Sequence, residues 1–243
     1  MQVSELAAMQ FAEHILGNAY PGRGIVIGQA AKEQSWLILY WIMGRSEQSR
    51  NRRFVVEGST LRTEPVDASI VADPSLIIYH AMLELPGIYL VSNGDQTLTF
   101  YQALQRGNTF DEALATRERE PDAPHYTPRI GAMLDLRTQP GSLTLSILKA
   151  NPLNPSYTDR YTYRPALPAA GYARGLTTYR GDGNPLPSFQ GDPLLLPSGE
   201  TAEDMLESYW NALNADHRIA IAVKRIPFVG GPGEVLVRNR YGH

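Results

Sequence analysis

Trp36-Leu37-Ile38-Leu39-Tyr40-Trp41-Ile42-Met43 runs directly into Gly44-Arg45-Ser46. Eight apolar or aromatic residues without a break read as one strand buried on both faces, because a half-buried strand alternates. Its exit is polar and basic, continuing through Ser49-Arg50-Asn51-Arg52-Arg53. A buried strand that delivers guanidinium and hydroxyl groups at its end suits an anion, since Arg grips phosphate through two parallel charge-assisted hydrogen bonds. Two further polar clusters follow runs of similar texture. Val91-Ser92-Asn93-Gly94-Asp95-Gln96-Thr97 supplies an amide, and Glu120-Pro121-Asp122 with Tyr126-Thr127-Pro128-Arg129-Ile130 supplies carboxylates and another Arg. A phosphorylated small molecule is the first partner to expect.

The segments around this strand alternate between strand runs and helix pairs. Residues 4–16 have helical spacing through Leu6, Met9, Ile15 and Leu16, and 23–28 reads as a strand. Shorter strands are expected at 53–56, 61–64, 77–79 and 88–91, then helices at 98–104 and 110–117, then strands at 130–136 and 143–148. From about 150 to 200 the chain is rich in Pro, Gly and Tyr, and reads as a long, ordered loop insertion around the strand-like Gly175-Leu176-Thr177-Thr178-Tyr179. Thr201–Leu213 is an amphipathic helix with Thr201 as its cap and Met205, Leu206, Tyr209, Trp210 and Leu213 on one face. Strands at 218–226 and 234–237 end the pattern. The class is α+β, and residues 1–243 are expected to form one domain.

Composition narrows the function classes. The chain has 243 residues, 43% hydrophobic and 19% charged, with a formal net charge of −3. A balance this near neutral gives the whole protein no attraction for nucleic acid or an anionic membrane, so an anionic ligand needs a local basic pocket. No apolar run reaches the roughly 20 residues of a membrane span. Met1-Gln2-Val3-Ser4-Glu5 lacks the features of an export signal, so a cytoplasmic protein is expected. Cysteine is absent, which removes disulfides, thiolate nucleophiles and Cys-zinc sites. The five histidines are scattered, and neither a metal nor another cofactor is expected. Gly22-Arg23-Gly24-Ile25-Val26-Ile27-Gly28 imitates a dinucleotide fingerprint, but β-branched residues stand where a helix should begin.

The clusters and the strands between them resemble the archaeal-type inosine monophosphate cyclohydrolase family. The matching pieces, in family order, are Gly22-Arg23, Tyr40 through Arg45-Ser46 to Asn51-Arg52, Tyr79, Val91-Ser92-Asn93-Gly94 with Thr97, and Glu120-x-Asp122 with Thr127-Pro128-Arg129-Ile130. They cover roughly residues 20–150. Departures are the segment before the first strand, Glu47-Gln48-Ser49-Arg50 in the first link, Asp95-Gln96 for a Ser-His type pair, and His80 where Asn is usual. The resemblance implies a four-layer α/β/β/α sandwich of the N-terminal-nucleophile-hydrolase type without the processed nucleophile. It also implies closure of the purine ring of 5-formamidoimidazole-4-carboxamide ribonucleotide to inosine monophosphate and water.

That reaction is intramolecular, so positioning supplies much of the acceleration, and the protein must anchor a phosphate, stabilise an oxyanion and move protons. The resemblance implies catalytic roles for Arg45, stabilising the oxyanion or holding the base, for Tyr79 as proton exchanger, for Asn93 as donor to the carboxamide, and for Glu120 as general base or orienting carboxylate. It implies substrate binding by Arg23, Ser46, Asn51, Arg52, Asp122, Thr127 and Arg129. Each has a plainer alternative: a surface ion pair for Arg45, a core tyrosine for Tyr79, an ordinary turn for Asn93, an acidic loop facing Arg117 and Arg119 for Glu120. The alternatives at the level of function are a same-fold enzyme acting on another phosphorylated ribosyl or amide substrate, or a non-catalytic nucleotide-binding protein. A homo-oligomer is expected from the surplus of Tyr and Pro.

Overall fold

The computed structural model describes residues 2–71, 78–229 and 231–241. Helix α1 (Val3–Phe11) continues through one wide π-type turn, Ala12–Leu16, with Ala7 and Ile15 buried while Met9 and Leu16 face solvent. Strands β1 (Gly24–Gln29) and β2 (Ser35–Met43) follow, and all nine residues of β2 are buried. The short helix α2 (Glu47–Arg50) leads into β3 (Arg53–Glu57) and β4 (Thr60–Glu64). Next come β5 (His80–Leu85), β6 (Ile88–Ser92), helices α3 (Gln96–Gln105) and α4 (Phe110–Ala115), β7 (Arg129–Asp135) and β8 (Ser142–Ala150). The chain continues as β9 (Thr158–Tyr163), β10 (Tyr172–Thr177), β11 (Leu194–Pro197), α5 (Ala202–Ala212), β12 (Arg218–Pro227) and β13 (Glu234–Asn239).

The strands form two antiparallel sheets. One has six strands in the order β11-β10-β1-β2-β12-β13, and the other seven in the order β3-β4-β5-β6-β7-β8-β9. β2 is interior to the first sheet, which explains its unbroken apolar sequence. In the second sheet the side chains alternate between two cores, as the two-residue period of a strand requires. Tyr89 and Val91 of β6, with Ile130, Ala132 and Leu134 of β7, join the large core shared with β1, β2 and β12. Ile88 and Leu90 point the other way and pack with Phe100, Phe110 and Leu114 of α3 and α4. Helix α5 packs on β12 and β2 through Met205, Leu206, Tyr209 and Trp210, and Thr201 caps it by accepting from the Asp204 N–H.

Two expectations change. The stretch 150–200 is no loop insertion around one strand, because it contributes β9 to the edge of one sheet and β10 and β11 to the other. Its Pro and Gly residues occupy the connections, and the strands between them are too short and too polar to show a clear period. The strand expected at 77–79 begins instead at His80. Ile77 lies outside the described residues. Tyr79 nevertheless pairs with Thr63 of β4, whose N–H donates to the Tyr79 carbonyl at 2.9 Å and whose hydroxyl accepts from the Tyr79 N–H at 3.0 Å. Among the described residues no helix is long and apolar enough to cross a membrane.

Candidate active site

The start of β1, the ends of β2, β6 and β10, and the starts of β5 and β7 all fall at one end of the paired sheets, as the registers Gly24↔Trp41, Gly24↔Thr177 and Ser92↔Gly131 require. Arg23 sits at this end between two glycines with separate reasons to be there. Gly22 has φ +74°, and a Cβ on it would lie 2.2 Å from the Thr178 hydroxyl. A Cβ on Gly24 would lie 2.0 Å from the Trp41 ring. The backbone of Arg23 is gripped from both sides: its N–H donates to the Thr178 hydroxyl at 3.0 Å and its carbonyl accepts from the Thr178 N–H at 2.9 Å. The motif that imitates a dinucleotide fingerprint thus aims one guanidinium.

Glu120 is the charged group whose field acts most strongly on that guanidinium. It is buried, and its N–H donates to the Thr127 carbonyl at 3.1 Å. Among the described residues none donates a hydrogen bond to its carboxylate. Burial raises the Glu120 pKa above the ordinary value of 4.5, with Arg23, Arg129 and Arg52 opposing that rise and Asp122 adding to it. For Arg23, burial opposes the charge, but the fields of Glu120 and of the Tyr179, Tyr79 and Tyr20 oxygens outweigh it and raise the pKa. The Nε of Arg23 is buried without a protein partner. A buried carboxyl whose pKa is raised, in the field of an incompletely bonded cation, is an arrangement found at acid–base sites.

Tyrosines line this pair. The Tyr79 and Tyr40 hydroxyl oxygens are 2.8 Å apart, joining the two sheets. Tyr179 stacks on Tyr20 with ring centroids 5.9 Å apart, and its hydroxyl is 2.7 Å from that of Thr127. Burial pushes the Tyr179 hydroxyl up to about 12. Arg52 is buried behind them, donating to the Ser49 carbonyl at 2.9 Å and the Met43 carbonyl at 3.3 Å, and burial followed by the nearby Arg23 charge lowers its pKa.

The other expected site residues divide by location. Arg45 lies at the rim, its side chain 31% exposed, stacked over the Tyr20 ring and paired with Asp182 and the Gly183 carbonyl. It also borders a hollow of about 540 Å³ with Glu47, Arg50, Asn51, Val66, Ile70 and Tyr241. Asp122 accepts from the Thr127 N–H at 2.6 Å and the Thr127 hydroxyl at 2.5 Å, which shapes the loop presenting Glu120. Arg129 is bound to Asp95 at 2.6 Å and Gln96 at 2.8 Å, so the Asp95-Gln96 departure serves to hold this arginine.

Three residues are occupied by the chain itself. Asn93 donates to the Pro128 carbonyl at 2.9 Å and accepts from the Ile130 N–H at 2.8 Å and from Gln96 at 3.0 Å. Asn51 exchanges hydrogen bonds of 2.6 and 2.7 Å with the Asp67 backbone. Ser46 is the exposed cap of α2. Tyr20, Tyr40 and Tyr179 received no role from sequence. The available signal was a tyrosine inside an otherwise apolar strand, since a buried hydroxyl needs a partner.

A cleft of about 980 Å³ lies at the opposite end of the sheets between Trp36, Glu84, Tyr89 and Phe228. Its charged floor is self-neutralised, because Lys224 pairs with Glu84 at 2.5 Å. Volume therefore points away from the chemistry, and the convergent Arg, Glu and Tyr groups mark the candidate site instead.

No curated protein sequence matches the chain at a significant level. The family described as IMP cyclohydrolase-like protein matches residues 20–227, a span that takes in Arg23, Arg45, Tyr79, Glu120, Arg129 and Tyr179 as well as the strands of 150–200. The chain belongs to the IMP cyclohydrolase-like protein family.

Proposed function

We propose that this protein closes the purine ring of 5-formamidoimidazole-4-carboxamide ribonucleotide, releasing inosine monophosphate and water. The observation that carries this reading is Glu120: a buried carboxylate with no hydrogen bond from the described residues, facing Arg23, with Tyr79 beside that arginine. The layering belongs to the same proposal. Helices α1 and α5 cover one sheet and α3 and α4 the other, as in an α/β/β/α sandwich of the N-terminal-nucleophile-hydrolase type.

The carboxamide nitrogen attacks the formyl carbon and gives its proton to Glu120. The formyl oxygen, developing negative charge against Arg23, takes a proton from Tyr79 and becomes a carbinolamine hydroxyl. Glu120 returns its proton to Tyr79. The cycle repeats on dehydration: Tyr79 protonates the hydroxyl, the carbon–oxygen bond breaks, and Glu120 removes a ring nitrogen proton, so one water leaves and both residues are restored. Tyr179 and Tyr20 supply an aromatic wall for the base.

The geometry favours exchanging two roles expected from the resemblance. The Arg23 charge lies in the field of Glu120 and suits the transition-state charge, whereas Arg45 at the rim suits the 5′-phosphate, with Asp182 holding its place. Arg129, Asn93, Asn51, Asp122 and Thr127 become positioning residues. A homo-oligomer acting in the cytoplasm on this nucleotide remains part of the proposal. The test is an absorbance assay of ring closure beside Glu120→Gln. Product formation that the variant loses supports the reading. No turnover by a folded wild-type protein that still binds nucleotides overturns it in favour of another substrate or a binding role.

A further inference from the structure

Tyr40 opens one of the matching pieces, yet the resemblance gives it no role. It is fully buried within β2, 5.5 Å from the Phe54 ring, and its hydroxyl has one protein partner among the described residues, the Tyr79 hydroxyl at 2.8 Å. One proton lies between the two oxygens. If Tyr79 donated it, the hydroxyl proton of Tyr40 would be left in the core without an acceptor, which is the costly arrangement for a buried donor. If Tyr40 donates, both protons are placed: one between the phenols and one on Tyr79, whose oxygen lies within the field of Arg23.

We propose that Tyr40 is a positioning residue whose hydroxyl donates to Tyr79 and thereby commits Tyr79 to act as the proton donor of the site. This rests on the ring-closure reading above. When Tyr79 passes its proton to the substrate oxygen, the Tyr40 bond remains and steadies the phenolate together with the nearby Arg23 and Arg52 charges. Tyr40 itself stays protonated, because burial, reinforced by the neighbouring Tyr79 oxygen, raises its pKa well above the ordinary 10.0.

The experiment compares Tyr40→Phe, Tyr79→Phe and the double variant, each checked for folding by thermal melt. Tyr79→Phe is expected to lower kcat roughly 100-fold. Tyr40→Phe is expected to lower it roughly 10-fold with KM within about threefold. The double variant should be no slower than Tyr79→Phe, because Tyr40 acts only through Tyr79. Unchanged kcat in Tyr40→Phe, or losses that multiply in the double variant, overturns the proposal. A second readout needs no substrate: a slowly exchanging phenol proton in the NMR spectrum should vanish in Tyr40→Phe and persist, shifted, in Tyr79→Phe. Its loss in Tyr79→Phe with retention in Tyr40→Phe reverses the donor and overturns the proposal even if the ribonucleotide proves not to be the substrate.

Discussion

The Thr127 hydroxyl lies 2.7 Å from the Tyr179 hydroxyl, tying the loop that carries Glu120 to the end of the strand whose Thr178 grips Arg23. Glu120 lies in the connection leading to β7 and Arg23 just before β1, strands of different sheets, and this bond is one of the links between them. Tyr179→Phe should cost about 1 kcal/mol in urea unfolding, the net worth of one buried hydrogen bond. The turnover number should fall more than nucleotide affinity, since the aim of Glu120 is lost while the aromatic wall stays. Equal losses in kcat and affinity would instead make Tyr179 a binding contact.

Glu120→Gln should abolish ring closure and leave inosine monophosphate binding, measured by calorimetry, within a few-fold. It also has a signature in stability. The folded-state pKa of Glu120 is raised, so the folded protein holds this proton more tightly than the unfolded chain. That contribution is fully present below the ordinary value of 4.5 and is lost as pH rises through the folded-state value. Relative to wild type, the Gln variant should therefore gain in melting temperature as pH rises from 4 toward 7. A constant difference across that range would show that Glu120 is not held against ionisation.

Arginine substitutions separate rim from centre. Arg23→Lys should lower kcat by roughly 100-fold or more, because the transition-state charge loses a planar, fixed donor. Arg45→Lys should raise KM with kcat nearly unchanged. The reverse pattern would return the oxyanion role to Arg45.

Gly22→Ala should destabilise the protein by about 2 kcal/mol or more, since φ is +74° and the new Cβ would meet the Thr178 hydroxyl and the Tyr179 ring. Chemical denaturation measures this directly. A variant as stable as wild type would show that the turn before Arg23 relaxes freely.

Asn93→Ala should cost roughly 2–3 kcal/mol, because it strands the buried Pro128 carbonyl and Ile130 N–H at the start of β7. If the variant unfolds like wild type but turns over slowly, Asn93 touches substrate after all.

The site was partly legible before any fold was drawn. Arg23, Tyr79 and Glu120 are distinctive residue types at the ends of recognisable runs, so motif order alone brought them forward. Their division of labour was not legible. Arg45 and Arg23 look alike in sequence, and only the fold shows that Arg45 pairs with Asp182 while Arg23 lies in the field of Glu120 with its Nε unpartnered. Asn93, Asn51 and Ser46 looked available because a sequence does not show which backbone groups lie within 3 Å of an amide or hydroxyl.

The sequence by itself determined the buried central strand 35–43, the α5 helix with its cap, the α+β class and the arginine- and carboxylate-bearing clusters. Each follows from local periodicity or composition, which act over a few residues. Tertiary structure alone decided that 150–200 adds strands to both sheets, that Tyr40 meets Tyr79 across 39 positions of chain, and that Thr127 meets Tyr179 across 52. Those pairings depend on which strands lie side by side, a choice made by burial of the whole core and not by any one segment's own preference.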